Sequence, residues 1–243
     1  MSNANGRAST GQGFGNTGAP CENGQICASC HSSGSFGSIL ETMTIIDLTT
    51  NQPATSYIAD RDYQVTFTFQ SQFGNPAGWG FQACSIDATN NGDIGKWQNP
   101  ASNVKSVLLG GVGTCGSRTY VEHSGGVSSS NSFTIGWKAP SLDVGLIKFY
   151  FTGNAVNGTG NTGGDNGGTG NSFDLPFACT PTLAVNANPI NSETYQAGQT
   201  LTSTGTIPSG NNVEFLAGDC IELQADFTVD LGAEFTADIE ACN

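Results

Sequence analysis

Charge is scarce in this chain, and positive charge is scarcest of all. Only 11% of its 243 residues are Asp, Glu, Lys or Arg, and all seven basic residues lie at or before Lys148. With a net charge of −13 there is no basic stripe to displace counterions from a phosphate backbone, so nucleic acid is excluded as a partner. Two His leave little room for a Ser-His-Asp triad, and no Gly-x-Ser-x-Gly stands at a strand-to-helix turn. No spacing in the acidic tail singles out a carboxylate acid and base. An enzyme is not expected. Long apolar runs are missing as well, so no segment is long enough to span a bilayer. The opening Met1–Arg7 lacks the apolar stretch of a signal peptide. The chain therefore reads either as the mature form of an exported protein or as one that stays inside.

Helical periodicity is also absent. Short runs such as Tyr63-Gln-Val-Thr-Phe-Thr-Phe69 alternate apolar and polar residues, and Gly supplies 34 residues for turns. This is an all-β pattern. Strands are expected over 39–48, 63–71, 78–87, 105–109, 118–123, 132–138 and 145–153. Turn signals such as Asn75-Pro76, Asn91-Gly92 and Asn99-Pro100 separate them. Seven strands at this spacing predict a Greek-key β-sandwich over residues 39–178. Residues 1–38 are rich in Gly, Ser and Asn and cannot bury enough surface to fold alone, so they must lie on something. Residues 157–171 form a Gly-rich loop, read as a mobile tip or as a calcium-holding turn built on Asp165. Residues 179–243 change character. From 182 on they hold no Lys, Arg or His but nine Asp or Glu, and they repeat. Ala197-Gly198 returns as Ala217-Gly218, and Val213-Glu-Phe215 as Ala233-Glu-Phe235. A period of about 20 to 22 residues predicts short β-coils stacked as a solenoid, against the alternative of a β-meander.

The chemistry concentrates in Cys27-Ala-Ser-Cys30-His31. Cys-x-x-Cys-His is the attachment sequence of a c-type haem. Two thiols add to the two vinyl groups of one porphyrin edge, and the adjacent imidazole reaches the iron. The competing readings are a structural disulfide followed by a surface His, or a zinc site from Cys21, Cys27, Cys30 and His31. For the sixth iron position the chain offers His123, with Met43 as the alternative. Two strong ligands leave no substrate position, which favours electron transfer over oxygen chemistry. Trp79, Phe81, Trp97, Tyr120 and Trp137 are candidates to wall the haem, or else ordinary core.

Eight Cys in so Lys-poor a chain point to an oxidising compartment. Beyond the motif, the disulfide candidates are Cys21, Cys84, Cys115, Cys179, Cys220 and Cys242. The expected pairings are Cys84 with Cys115, and Cys220 with Cys242 or Cys179.

Several segments carry a family likeness. Thr17-Gly-Ala-Pro20 with the Cys27–His31 motif, Asn75-Pro-Ala-Gly-Trp-Gly-Phe81, Arg118-Thr-Tyr-Val-Glu-His123, Phe133-Thr-Ile-Gly-Trp137-Lys-Ala-Pro140 and Phe149-Tyr-Phe-Thr-Gly-Asn-Ala-Val-Asn-Gly158 resemble the choice-of-anchor V domain of secreted bacterial proteins, a relative of the reeler β-sandwich. Gly210-Asn-Asn-Val-Glu-Phe215, Ala217-Gly218 and Gly232-Ala-Glu-Phe235 resemble the three-coathanger stack found at the ends of type IX secretion substrates. The resemblance implies export to the cell surface or beyond and no defined activity. One departure is Cys21, where the family pattern has Gly. It could compete for Cys27 or Cys30, or bridge to another part of the chain or to another subunit. Two functions follow as expectations. One is an exported monohaem electron carrier, with or without self-association into an extracellular polymer. The other is a haem-free, disulfide-stapled filament subunit or adhesin, in which the N-terminal segment adds as a strand to a neighbour.

Overall fold

A computed structural model describes residues 6–10 and 15–240. The chain divides into two compact units, residues 1–177 and 178–243. Cys242 lies outside the described residues.

The first unit is a β-sandwich. One sheet runs β2 (Gln52–Pro53), β1 (Ile39–Asp47), β3 (Asp62–Ser71), β8 (Ser132–Lys138) and β5 (Lys96–Gln98). The other runs β10 (Asn166–Gly167), β9 (Ile147–Val156), β4 (Gly78–Asp87), β7 (Arg118–His123) and β6 (Val104–Leu109), with β11 (Asn171–Leu175) also on β9. Alternation decides which side of β3 faces in. Tyr63, Val65, Phe67 and Phe69 are buried, whereas Gln64 and Gln70 are exposed. Across the interface they meet Phe81, Phe149 and Phe151 of the second sheet, and Phe81 stacks on Phe133 with ring centroids 4.2 Å apart. Trp79, Phe81, Trp97 and Trp137 are members of this core, and so is Met43. The strand expectations hold apart from end shifts of one to three residues. β2, β5, β10 and β11 were not foreseen, because strands of two to five residues carry too few alternations to register.

β4 departs from the alternating rule: all ten of its residues are buried. The reason is the N-terminal segment, which lies across the outer face of the second sheet. Two buried carboxylates fasten it there. Glu22, on the segment, accepts hydrogen bonds from Tyr120 Oη (2.7 Å), Arg118 Nη1 (3.3 Å), the Thr17 amide (2.7 Å) and the Thr17 hydroxyl. Glu122, on β7, accepts from the Ala8 and Ser9 amides, the Ser9 hydroxyl and Gln82 Nε2. Tyr120 thus lies under the segment and not in the sandwich core. Its hydroxyl pKa rises through burial and the neighbouring Glu22 charge.

A disulfide between Cys21 and Cys115 closes the attachment across 94 residues of sequence. The expected Cys84–Cys115 bridge is not formed, since Cys84 is a fully buried free thiol on the sheet face, 3.5 Å from the Thr17 hydroxyl. Burial pushes its pKa up to about 12. Cys21 is likewise unavailable to a zinc site or to Cys27 and Cys30.

The second unit is a parallel β-solenoid. Three ladders run along it: β12 (Thr182–Val185), β14 (Thr200–Ser203) and β17 (Cys220–Leu223); β13 (Thr194–Ala197), β16 (Asn212–Ala217) and β19 (Glu234–Ile239); and β15 (Thr206–Ile207) with β18 (Thr228–Val229). Thr182 pairs Thr200, Thr200 pairs Cys220, and Asn212 pairs Glu234, so the coil length grows from 18 to 20 to 22 residues. A meander would pair antiparallel; every ladder here is parallel. Leu201, Ile207, Val213, Phe215 and Ala217 stack inside, which is why no coil is stable without its neighbour. Cys179 is disulfide-bonded, and Cys220 is an exposed free thiol at the start of β17. Neither expected partner of Cys220 is therefore bound to it.

Glu22 and Arg118 both have fully buried side chains. Glu22→Ala leaves the guanidinium buried without its counter-charge, which costs about 3–5 kcal/mol. Urea unfolding followed by Trp fluorescence reports this unit alone, because all three Trp lie in it. The midpoint should fall accordingly; an unchanged midpoint would show that the segment is not held by this pair.

Candidate functional site

The Cys-x-x-Cys-His motif sits at the end of the N-terminal segment, on the β10 edge of the second sheet. Residues Cys27–Ser29 form a single 3-10 turn. The Ile26 amide donates to the Ser29 hydroxyl, and the Cys30 and His31 amides both donate to the Cys27 carbonyl. The turn docks through backbone contacts. Ala28 N donates to Gly168 O (3.1 Å), and Gly167 N donates to His31 O. Gly167 is required for this approach: a Cβ there would lie 2.3 Å from the Cys27 carbonyl carbon and 2.4 Å from Ala28 N.

The three motif side chains have different surroundings. Cys27 is half-buried, and Thr152 and Glu41 act on its thiol. Burial pushes its pKa up to about 12, only partly offset by Thr152. Cys30 is exposed. Neither is disulfide-bonded, so the structural-disulfide reading of the motif is not realised. His31 Nδ1 lies 3.0 Å from Asp165 Oδ2, and the Asp165 carboxylate is 2% exposed. Its other oxygen accepts the Asn157 amide (2.8 Å). A carboxylate can only accept, so Nδ1–H donates to it; in the neutral ring this leaves the lone pair on Nε2.

The Gly-rich loop is tied to the motif along its second half. Gly34 N donates to Asp165 O, Gly164 N to the Ser33 hydroxyl, and residues 166 and 167 pair with β9 as β10. The loop is short-range glue for the motif. Both Asp165 oxygens are engaged, and among the described residues no three His, Cys, Asp or Glu gather as a metal would require. Nor is any described helix long and apolar enough to cross a membrane.

His123 lies at the end of β7, 8% exposed, with Nδ1 at 3.3 Å from the backbone N and O of Phe81. It is not brought against His31. Between β10 and β7 lie β9 and β4, a span of about 14 Å at three strand spacings. Gly167 and Gly80 both pair with Asn154 of β9. A Cβ on Gly80 would meet Asn154 Oδ1 at 2.4 Å and His123 Cε1 at 3.1 Å. Asn154 therefore stands between the motif and His123.

Sequence reasoning missed Thr152, Glu41, Asn154 and Gly167, and it offered Asp165 as a calcium ligand only as the alternative to a mobile loop. One signal was present: Asp165 is the lone charged residue in 157–171. Nothing local marks the others, because they are brought in by strand register.

No family model matches the chain, and no curated protein matches it. Among solved structures it is similar to two crystal structures of the human F-spondin reeler domain. One is 12% identical over 61% of this chain and 97% of that chain, with a TM-score of 0.37. The other is 13% identical over 60% and 96%, with a TM-score of 0.36. A Reelin-N domain of F-spondin is 13% identical over 61% and 93%, with a TM-score of 0.36.

Glu41 is buried, and its carboxyl accepts the Gly153 amide at 2.8 Å. Burial raises its pKa above the ordinary 4.5, against the lowering effect of the Gly153, Thr152 and Gly170 bonds. The unfolded chain therefore ionises first. The stability this group contributes is full below pH 4.5 and is lost as pH rises through the folded-state value. Glu41→Gln removes that dependence. The difference in unfolding free energy between wild type and variant should shift in favour of the variant as pH rises above 4.5; a difference independent of pH would show that burial does not raise the Glu41 pKa.

Proposed function

We propose that this chain is an exported, monohaem c-type electron carrier, with Cys27 and Cys30 as the thioether thiols and His31 as an axial ligand. One observation carries the reading: in a motif whose two thiols are bound to no other cysteine, His31 has Nδ1 committed to the buried Asp165 and Nε2 left as the donor nitrogen. A histidine ligand oriented by a carboxylate on its other nitrogen is what an iron site requires. When bound, the haem supplies a reversible one-electron couple. The residues present fit the group by donor chemistry. Asp165 fixes the tautomer and ring plane of His31, Gly167 and Gly168 hold the turn, and Cys30 is accessible for attachment. His123, three strand spacings from the motif edge with Asn154 between, is not placed to share that iron, and the sixth position stays unassigned. Export is supported by the Cys21–Cys115 disulfide, which belongs to an oxidising compartment. Self-association into an extracellular polymer stays part of the proposal.

The second reading is a haem-free stapled structural subunit or adhesin. It is favoured by the way the N-terminal segment is fastened by Glu22, Glu122 and the disulfide. The described part of that segment pairs within its own chain, at Thr17 with Ile26 and at Ser32 with Asn166. Strand donation to a neighbour would first have to undo those contacts.

A pyridine haemochrome spectrum separates the two. Protein from its native source, or from a host carrying c-type maturation enzymes, should show a c-type band and one haem in covalent mass on the peptide holding residues 27–31. No band and an unmodified peptide would leave the structural reading. In loaded protein, His123→Ala should leave the ferric spin state unchanged; conversion of a low-spin spectrum to a high-spin one would show that His123 does reach the iron.

A further inference from the structure

The last coil of the solenoid leaves its core side open. Inward-facing positions are in register from coil to coil: Ser203 pairs Leu223, Ile207 pairs Val229, and Ala217 pairs Ile239. In the middle coil Ser203, Ile207 and Ala217 are fully buried. In the last coil Leu223, Val229 and Ile239 are 45%, 41% and 60% exposed. Side chains suited to a core are thus left partly in water. The outer edges of β17, β18 and β19 pair with no further strand among the described residues. The first coil differs, since Val185, Ile190 and Ala197 are buried. A stacked repeat ends in water through a polar terminal coil, and this last coil is apolar on the side where that rule asks for polar groups.

We propose that this open coil docks an extended strand of a partner polypeptide in which apolar side chains alternate with Lys or Arg. The register gives the pattern. Along β19, Phe235, Ala237 and Ile239 pair with the buried Val213, Phe215 and Ala217 and so face the inside of the stack. Glu234, Thr236 and Asp238 fall between them and face outward. A strand hydrogen-bonded to β19 sets every second residue beside an apolar group, and the residues between beside Glu234 and Asp238. On β17, Glu222 stands in the same way between Ile221 and Leu223. A groove lined by Glu193, Glu214 and Glu234 carries the negative charge back from the edge along the coils. Charge selects the occupant. Residues 220–240 hold six carboxylates and no Lys, Arg or His. Two copies joined through this edge bring like charges together, which opposes the pairing. A copy stacked head to tail meets a first coil whose inward residues are already covered. A cationic strand turns the same carboxylates into pairing partners. The proposal is independent of the haem reading.

The experiment titrates the full-length chain against a fluorescein-labelled peptide of about nine residues that alternates Lys with Val or Ile, read by fluorescence anisotropy. One control peptide has the same composition with Lys and apolar residues in separate blocks; the other keeps the alternation with Glu for Lys. The alternating Lys peptide should bind at least about tenfold more tightly than either control. Hydrogen exchange should show that it protects the amides of residues 234–239. Ile239→Asp separates the two forces, because it adds negative charge while removing an apolar contact at an exposed position. It should weaken binding at least about tenfold, whereas charge attraction alone would tighten it. Leu223→Asp is a second variant read the same way. Equal binding of the alternating and block peptides, unchanged exchange over 234–239, or tighter binding by both variants would overturn the proposal. Sedimentation velocity without peptide tests the other occupant. The wild-type chain and Ile239→Asp should sediment alike; a dimer that Ile239→Asp dissociates would assign the edge to a second copy and overturn the proposal.

Discussion

The burial of one carboxylate, Glu22, organises the functional half of this molecule. A charged side chain with no exposure is tolerated only if every oxygen is met, and here a guanidinium, a phenol, a hydroxyl and an amide meet them. Two of those four donors, the Arg118 guanidinium and the Tyr120 phenol, depend on the segment lying flat on the sheet, so the cost of exposing Glu22 unpaired is also the cost of lifting the segment. Residues with few apolar groups of their own thereby acquire a fixed position. The motif inherits that position, because it is the same segment a few residues on.

From there, order is passed along by backbone and not by hydrophobic contact. Glycines at 167 and 168 allow the turn to come within hydrogen-bonding distance of β10, and Asp165 takes the imidazole. Low-charge, Gly-rich sequence would ordinarily be read as loose. Here it permits main chain to pack on main chain, with small polar side chains filling the caps. The loop 157–171 and the segment 26–34 each lack a core, and each supplies the hydrogen bonds the other needs.

Much of the architecture was legible in the residues. The two-residue alternation of β3 and β8 announced a sandwich, and the recurrence of Ala-Gly and Glu-Phe pairs announced stacked coils. The motif itself was legible because its spacing has a chemical reason. What could not be read were relations between distant residues. Asp165 meets His31 across 134 positions, and Cys21 meets Cys115 across 94. The Cys84–Cys115 expectation failed for that reason: Cys84 is near in sequence, but its side chain points into the covered face of β4. Likewise, polar residues on β4 such as Gln82 look like a solvent face, and only the overlying segment buries them.

The chain order of these parts has a consequence in time. Cys27, Cys30 and His31 leave any export channel or ribosome before β4, β7 and β9 exist, and the last dock they need, Gly167 with Asp165, follows more than 130 positions later. During that interval His31 has no Asp165 beside it, and the backbone at 28 and 31 has no Gly168 or Gly167 to bond. Order at the motif therefore waits on nearly the last strands of the first unit to be made.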